Sequence, residues 1–295
     1  MVRGDNWMGY YLMVITATIL LSFDLVISKK YQEIENVSII SGLKYNAWNG
    51  LFTAFIFLFF LHGQLEFSLF SIILAFLMAL CGIIYSILGF RILKNENMSL
   101  YSIFLMSGGM LLPFLFGIFF LDEKLSVLRF CGVIVILFAI ILANKSKNMF
   151  SKSQLLLCFA VFVLNGFVSV ISKIHQIDVE NNSISPLAFV MYSGIGKFIF
   201  SSVVLGNKQR NAKNRFLVSK RAMFLIISSA IVGGVSYLLQ LISASNLPAT
   251  VLYPLVTGGS IVFSALMGRI FYKEKLSEQH IIGILLCCMG SCLFL

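Results

Sequence analysis

The chain has 295 residues, of which 59% are apolar and only 12% charged, and its formal net charge is +10. So apolar a composition excludes a soluble globular enzyme, a disordered chain and a disulfide scaffold. A spanning helix takes about 20 apolar residues, so ten such helices use roughly 200 and leave roughly 95 for loops and tails, too few for a folded soluble domain.

Apolar runs fall at about residues 7–28, 43–61, 67–90, 98–121 and 127–143, and again at about 154–174, 186–205, 222–243, 249–271 and 278–295. They are continuous rather than alternating. In lipid the backbone must satisfy its own polar groups, and continuous runs select helices over a β-barrel. The first run is too long for the core of a signal peptide and no small-residue cleavage site follows it, so it is expected to be the first span.

Basic residues cluster in the gaps after the odd-numbered runs, among them Lys29, Lys30, Arg91, Lys94, Lys145, Lys147, Lys152 and the stretch from Lys208 to Arg221. The opposite face holds only Arg3, Lys124, Arg129 and Lys173. Cytoplasmic loops carry the excess of Lys and Arg, so this bias predicts external termini. It also explains the net charge by orientation, with no nucleic-acid partner. The six cysteines, Cys81, Cys131, Cys158, Cys287, Cys288 and Cys292, all lie in apolar runs. They read as small buried apolar residues, and the adjacent pair Cys287-Cys288 is not a C-x-x-C redox motif.

The chain repeats itself. Glu123-Lys124-Leu125-Ser126 recurs as Glu274-Lys275-Leu276-Ser277, each followed six residues later by a glycine, Gly132 or Gly283. Ser107-Gly108-Gly109 resembles Thr257-Gly258-Gly259. Phe23-x-x-Val26-Ile27-Ser28-Lys29-x-x-Gln32 matches Phe167-x-x-Val170-Ile171-Ser172-Lys173-x-x-Gln176, and Gly50 and Gly194 keep the same spacing. In order along the chain, these matches predict a duplicated five-helix unit, residues 1–148 and 149–295. An odd number of crossings places the second copy upside down. Inverted repeats of this kind are the signature of alternating-access carriers, whose site lies near the midplane between the copies. Loop charge agrees: the second gap of the first copy, near His62 to Glu66, has no Lys or Arg, whereas its counterpart at 206–221 has six.

With ten spans, two five-helix repeats and the Gly-Gly…Glu-Lys-Leu-Ser…Gly pattern, the chain resembles the drug/metabolite transporter superfamily, in particular its EamA-like branch. The resemblance implies a ten-helix basket with a central cavity lined mainly by helices 1–4 and 6–9, and helices 5 and 10 supporting it from outside. It implies no single substrate class. This chain departs from the family in lacking a tryptophan-glycine pair in the first helix of each repeat, where Leu21-Ser22 and Asn165-Gly166 stand. Many relatives are also described with cytoplasmic termini, which the charge bias here opposes.

With so few charges, those inside spans stand out. Lys197 lies near the middle of span 7, where ten residues at 1.5 Å place it about 15 Å from either interface, beyond the reach of a snorkelling stem. An ammonium there costs about 2.5–3.5 kcal/mol on insertion scales. Its repeat counterpart is Thr53, so duplication does not require it. Either it anchors an anionic or zwitterionic solute or a gating ion pair, or it bonds helix carbonyls. Asp24 is the only acid well inside a span. Such a carboxylate can carry a coupling proton or bind a cation; the structural alternative is an ion pair with Lys29 or Lys44. Aromatic side chains recur in both copies: Trp48 and Tyr192 are counterparts, as are Tyr85 and Tyr237, and Tyr101 and Tyr253 extend the set. They line a solute cavity, bind a cation through their rings, or pack as interfacial anchors. Asn165 and Gln240, within spans, and Asn46 and Asn49 bond either solute or another helix. Pro113 and Pro254 are expected to kink spans 4 and 9, and Ser126 and Ser277 to cap helices 5 and 10.

These features predict a secondary active transporter of a small organic solute, anionic or zwitterionic, in the cell membrane, coupled to a proton, an ion or exchange, with no cofactor. No phosphate-binding loop of the G-x-x-x-x-G-K-[ST] type is present to power it. The alternatives are a carrier of an amphipathic or quaternary cation such as choline, held by the aromatic set and Asp24, and a non-transporting membrane scaffold. An intramembrane aspartyl protease needs two acids within the membrane, and only Asp24 qualifies, so no enzyme is expected.

Overall fold

A computed structural model describes residues 7–93, 98–143, 152–178, 183–208, 216–273 and 278–294. The described residues form ten helices and no strand: α1 (Trp7–Glu35), α2 (Ile39–Phe60), α3 (Leu69–Leu93), α4 (Met98–Phe120), α5 (Val127–Ala143), α6 (Lys152–Ile177), α7 (Pro186–Lys208), α8 (Lys220–Ala244), α9 (Ala249–Tyr272) and α10 (Glu278–Cys292). Each of the ten apolar runs coincides with one helix. The second Glu-Lys-Leu-Ser copy at 274–277 lies outside the described residues, as do Arg3, Lys94, Lys145, Lys147, Arg210, Lys213 and Arg215.

Seven helices, α1, α3, α4 and α6–α9, are long and apolar enough to cross a membrane. The expected ten spans are thus met by ten helices of unequal character. α5 and α10 are short, at 17 and 15 residues. α2 has the length, 22 residues, but Lys44, Asn46, Trp48 and Asn49 lower its apolarity. Large apolar side chains face outward, Phe59 at 79% exposure and Val127 at 79% among them, as lipid-facing surfaces require.

Local chemistry sets the helix ends. Ser38 and Ser41 form a reciprocal capping box at the start of α2: Ser41 N donates to Ser38 Oγ at 3.0 Å and Ser38 N to Ser41 Oγ at 3.2 Å. Arg129 N donates to Ser126 Oγ at 3.2 Å, the cap expected at the start of α5. Two carboxylates of the first half serve helices of the second. Glu66 accepts from Ser185 N and Ser185 Oγ just before α7. Glu123 accepts from Ala249 N at 2.7 Å, Thr250 N at 2.8 Å and Thr250 Oγ1 at 2.7 Å at the first turn of α9. Exposed amide donors and the positive end of the helix dipole both favour an anion there. Pro113 and Pro254 lie inside α4 and α9, each assigned as one continuous helix.

Helices pack mainly across the halves: α2 on α7, α1 on α8 and α9, α6 on α3 and α4, α4 on α9, α5 on α10. Replacing each helix by the one five places away turns this set into itself. Two glycines permit one of the close crossings. A methyl group on Gly50 would stand 2.6 Å from Gly194 O, and one on Gly194 would stand 2.7 Å from Gly50 O, so α2 and α7 meet backbone to backbone. Gly109 likewise leaves room for Asn165 of α6, and Gly259 for Thr18 of α1. Cys81, Cys158 and Cys287 are buried, as expected, but Cys131, Cys288 and Cys292 are exposed on α5 and α10. These two helices pair with each other at the edge of the assembly, so their outer faces meet no protein.

Candidate functional site

The packing of α1–α4 against α6–α9 leaves a cavity of about 490 Å³, lined by those eight helices and by no residue of α5 or α10. Of the twelve side chains singled out in the sequence, Asn46 and Tyr101 lie outside its lining and eight converge on it: Asp24, Asn49, Tyr85, Asn165, Lys197, Tyr237, Gln240 and Tyr253. Trp48 and Tyr192 do not. Trp48 stacks on Phe52 and donates from Nε1 to Phe216 O at 2.9 Å, which ties α2 to the approach to α8. Tyr192 donates its hydroxyl to Glu66 O at 2.9 Å. Both are amphipathic rings whose polar edges serve the backbone outside the cavity, the packing role open to them from the outset.

Asp24 enters from α1. Its Oδ1 accepts from Ser229 Oγ of α8, and its Oδ2 lies where a methyl group on Gly233 would come within 2.8 Å. Neither Lys29 nor Lys44 pairs with it. Lys29 Nζ sits 4.1 Å from the centre of the Tyr272 ring, and Lys44 Nζ donates to Leu217 O at 2.9 Å. Among the described residues the hydrogen-bond donor to Asp24 is therefore a neutral hydroxyl, that of Ser229. Ser229 Oγ also meets Tyr45 Oη at 2.5 Å and accepts from Asn49 Nδ2 at 3.2 Å, and Tyr45 Oη meets Ser28 Oγ at 2.6 Å.

Lys197 enters from α7, its stem packed beside Gly50. No hydrogen bond or ion pair to its ammonium is found among the described residues, and helix carbonyls do not hold it. Lys173 shows the contrast. It is 4% exposed, and its Nζ donates to Ala244 O at 2.7 Å and Leu247 O at 2.8 Å, closing the end of α8.

The remaining lining groups are partly committed to helix packing. Asn165 Nδ2 donates to Leu105 O at 2.7 Å, which joins α6 to α4 and leaves its oxygen to the cavity. Tyr253 donates to Ser169 O at 2.6 Å, Tyr237 Oη meets Ser172 Oγ at 2.7 Å, and Gln240 Nε2 donates to Ser236 Oγ at 3.3 Å. Sequence reasoning missed Ser28, Tyr45, Ser229 and Gly233. Serine, tyrosine and glycine are ordinary in spanning helices, and only the crossing of α1 with α8 and α2 brings these four beside Asp24.

Comparison with known proteins bears on the same architecture. A protein of known crystal structure superposes with a TM-score of 0.76 over 97% of this chain and 96% of its own, at 14% identity, so the fold is shared. No curated protein matches the chain. Residues 152–295, which supply Asn165, Lys197, Ser229, Tyr237 and Tyr253 to the cavity, match the EamA-like transporter family. The second half of this all-helical membrane protein is an EamA-like transporter family domain.

Proposed function

We propose that the chain is a secondary transporter of a small anionic or zwitterionic organic solute in the cell membrane, working by alternating access. One observation carries this reading: Lys197 lines a central cavity, and its ammonium has no hydrogen-bond or ion-pair partner among the described residues, the charge of Asp24 acting on it only from a distance. A charge held there is costly, and a bound carboxylate or phosphate offsets the cost through charge-assisted hydrogen bonds. Asp24, in the same cavity, suits a solute amine or a coupling proton. Uncommitted acceptors such as the Asn165 oxygen orient the remainder of the solute.

In this reading all ten helices cross the bilayer. Of the side chains that set α2 apart, Asn49 turns to the cavity, where Thr53 joins it. The halves, residues 1–148 and 149–295, are inverted repeats. The packing set that maps onto itself and the contact between the repeat counterparts Gly50 and Gly194 support this. A site between inverted halves opens alternately as one rocks against the other. The reading assigns carriage rather than chemistry, so no residue is given a catalytic role.

The second reading, a quaternary cation such as choline, draws on the rings of Tyr85, Tyr237 and Tyr253 together with Asp24. Separate Lys197→Met and Asp24→Asn variants in proteoliposomes, with solutes chosen from a metabolite panel by thermal shift, divide the two. Loss of saturable exchange with Lys197→Met supports the anionic or zwitterionic solute. Loss with Asp24→Asn alone supports the cation. Exchange untouched by either substitution refutes both site assignments, and the absence of any exchange leaves a membrane scaffold.

A further inference from the structure

A second, smaller cavity of about 150 Å³ lies at the end of the molecule where α1 turns into α2, lined by Ser28, Tyr31, Gln32, Gly42, Tyr45, Asn46 and Ser86. It shares no lining residue with the central cavity. Hydroxyl groups join the two: Ser28 and Tyr45 face the small cavity, Ser229 and Asp24 the large one, and consecutive members are hydrogen-bonded.

The direction of the chain follows from counting hydrogens. A serine or tyrosine hydroxyl has one proton to donate. Ser229 gives its proton to the Asp24 carboxylate, so the contact between Tyr45 and Ser229 is donated by Tyr45. Tyr45 has then spent its proton, so the contact between Ser28 and Tyr45 is donated by Ser28. Asn49 Nδ2 donates to Ser229 as well and holds that hydroxyl in line. Every link points toward Asp24.

We propose that Ser28, Tyr45 and Ser229 form a proton relay that loads Asp24 from the small cavity, separately from the solute path. The proposal rests on the reading of Asp24 as the coupling group. A hydronium ion in the small cavity gives a proton to Ser28 Oγ. Ser28 passes its own to Tyr45, Tyr45 to Ser229, and Ser229 to Asp24 Oδ1. The carboxylate becomes a carboxylic acid, one water is left in the small cavity, and each hydroxyl ends with one proton as it began. The charged or titratable groups facing Asp24 are Tyr45 from α2 and Lys197 from α7. α8 offers only neutral Ser229 and Gly233, and α9 lines the cavity with Tyr253, Thr257 and Ser260 and no charge. Protonation of Asp24 therefore leaves Lys197 as the one full charge of this set, which strengthens the cavity's pull on an anion. Proton and solute reach the same site from different openings, as a coupled carrier needs.

The test uses the full chain in lipid nanodiscs, a pH jump as the probe, and time-resolved infrared detection of the protonated carboxyl stretch, so no solute is required. Asp24→Asn is expected to remove the band. Tyr45→Phe, which keeps the ring and deletes one hydroxyl, slows its appearance by about a hundredfold, the lower end for loss of a positioned proton-transfer group. Ser28→Ala slows it likewise, and Ser28→Thr restores it, which separates a broken relay from damaged packing. Tyr11→Phe, whose hydroxyl donates to Phe294 O away from the relay, leaves the rate unchanged. A band lost in Asp24→Asn but undelayed in both Tyr45→Phe and Ser28→Ala overturns the relay and spares Asp24 as coupling group. A band that persists in Asp24→Asn overturns both.

Discussion

The two ends of the cavity's charge pair are built differently. Asp24 is enclosed by protein groups, with a hydroxyl on one oxygen, a bare glycine beside the other, and a queue of hydroxyls behind them. Lys197 has the opposite surroundings, a stem packed at a glycine crossing and a head group without an acceptor among the described residues. A charge already bonded to a protein hydroxyl is suited to exchanging a proton, since that partner remains when it is neutral. A buried charge left unsatisfied is suited to a ligand, since ligand binding is what completes it. Lys173 makes the same point within one residue type, because two carbonyls hold it and it stands outside the cavity lining.

Removing the ammonium should have the largest effect. Lys197→Met is expected to abolish solute-dependent thermal stabilisation and to weaken binding by roughly 1.5–3 kcal/mol, about ten- to a hundredfold in Kd. The unliganded variant should melt higher than the parent, because the burial cost of the charge is gone. A variant that melts lower while binding solute normally would place Lys197 in the scaffold. Asp24→Asn breaks the other side of the contrast. Solute-driven proton movement, followed with a lumenal pH dye in proteoliposomes, should stop while solute-for-solute exchange continues.

Gly233→Ala tests the same carboxylate indirectly. A methyl group 2.8 Å from Asp24 Oδ2 must displace it. Proton-coupled uptake should fall several-fold, with less effect on exchange. Glu123→Gln sharpens the comparison from outside the cavity. It weakens the acceptor at the first turn of α9, so the melting temperature should drop by an amount corresponding to about 0.5–2 kcal/mol, as for loss of a helix cap, with solute affinity preserved. Tyr192→Phe should have the smallest effect, since its hydroxyl serves Glu66 O rather than the cavity. A clear loss of solute affinity there would mean that the cavity extends beyond its present lining.

Much of this was readable in the sequence, for a physical reason. A spanning helix must be apolar over about 20 residues, so the runs marked all ten helices, and Asp24 and Lys197 were conspicuous because charges inside spans are rare and costly. Lys29 and Lys173 occupy equivalent positions in the two sequence repeats and looked alike, yet one lies over the Tyr272 ring and the other caps α8. Only tertiary context separates them. The aromatic set was half informative: a tyrosine ring packs equally well toward a cavity or a loop, and the difference between Tyr237 and Tyr192 lies in which backbone or hydroxyl group is within reach. The hydroxyl queue was invisible, because its links join residues 17, 184 and 205 positions apart, and no local pattern encodes such pairings.

The crossing at Gly50 and Gly194 has a mechanical consequence. Side chains that interdigitate act like gear teeth, and turning one helix against its neighbour means lifting teeth out of sockets. Where two bare backbones touch, there are no teeth. α2 and α7 meet at such a point, one helix from each half, close to Lys197. A joint of this kind would resist separation by its tightness more than it resists rotation at the crossing point, like the pin of a pair of scissors whose blades swing while the pin stays put. In the alternating-access reading proposed above, such a pin beside the lysine would keep the charge nearly stationary as the two ends of the cavity open and close around it.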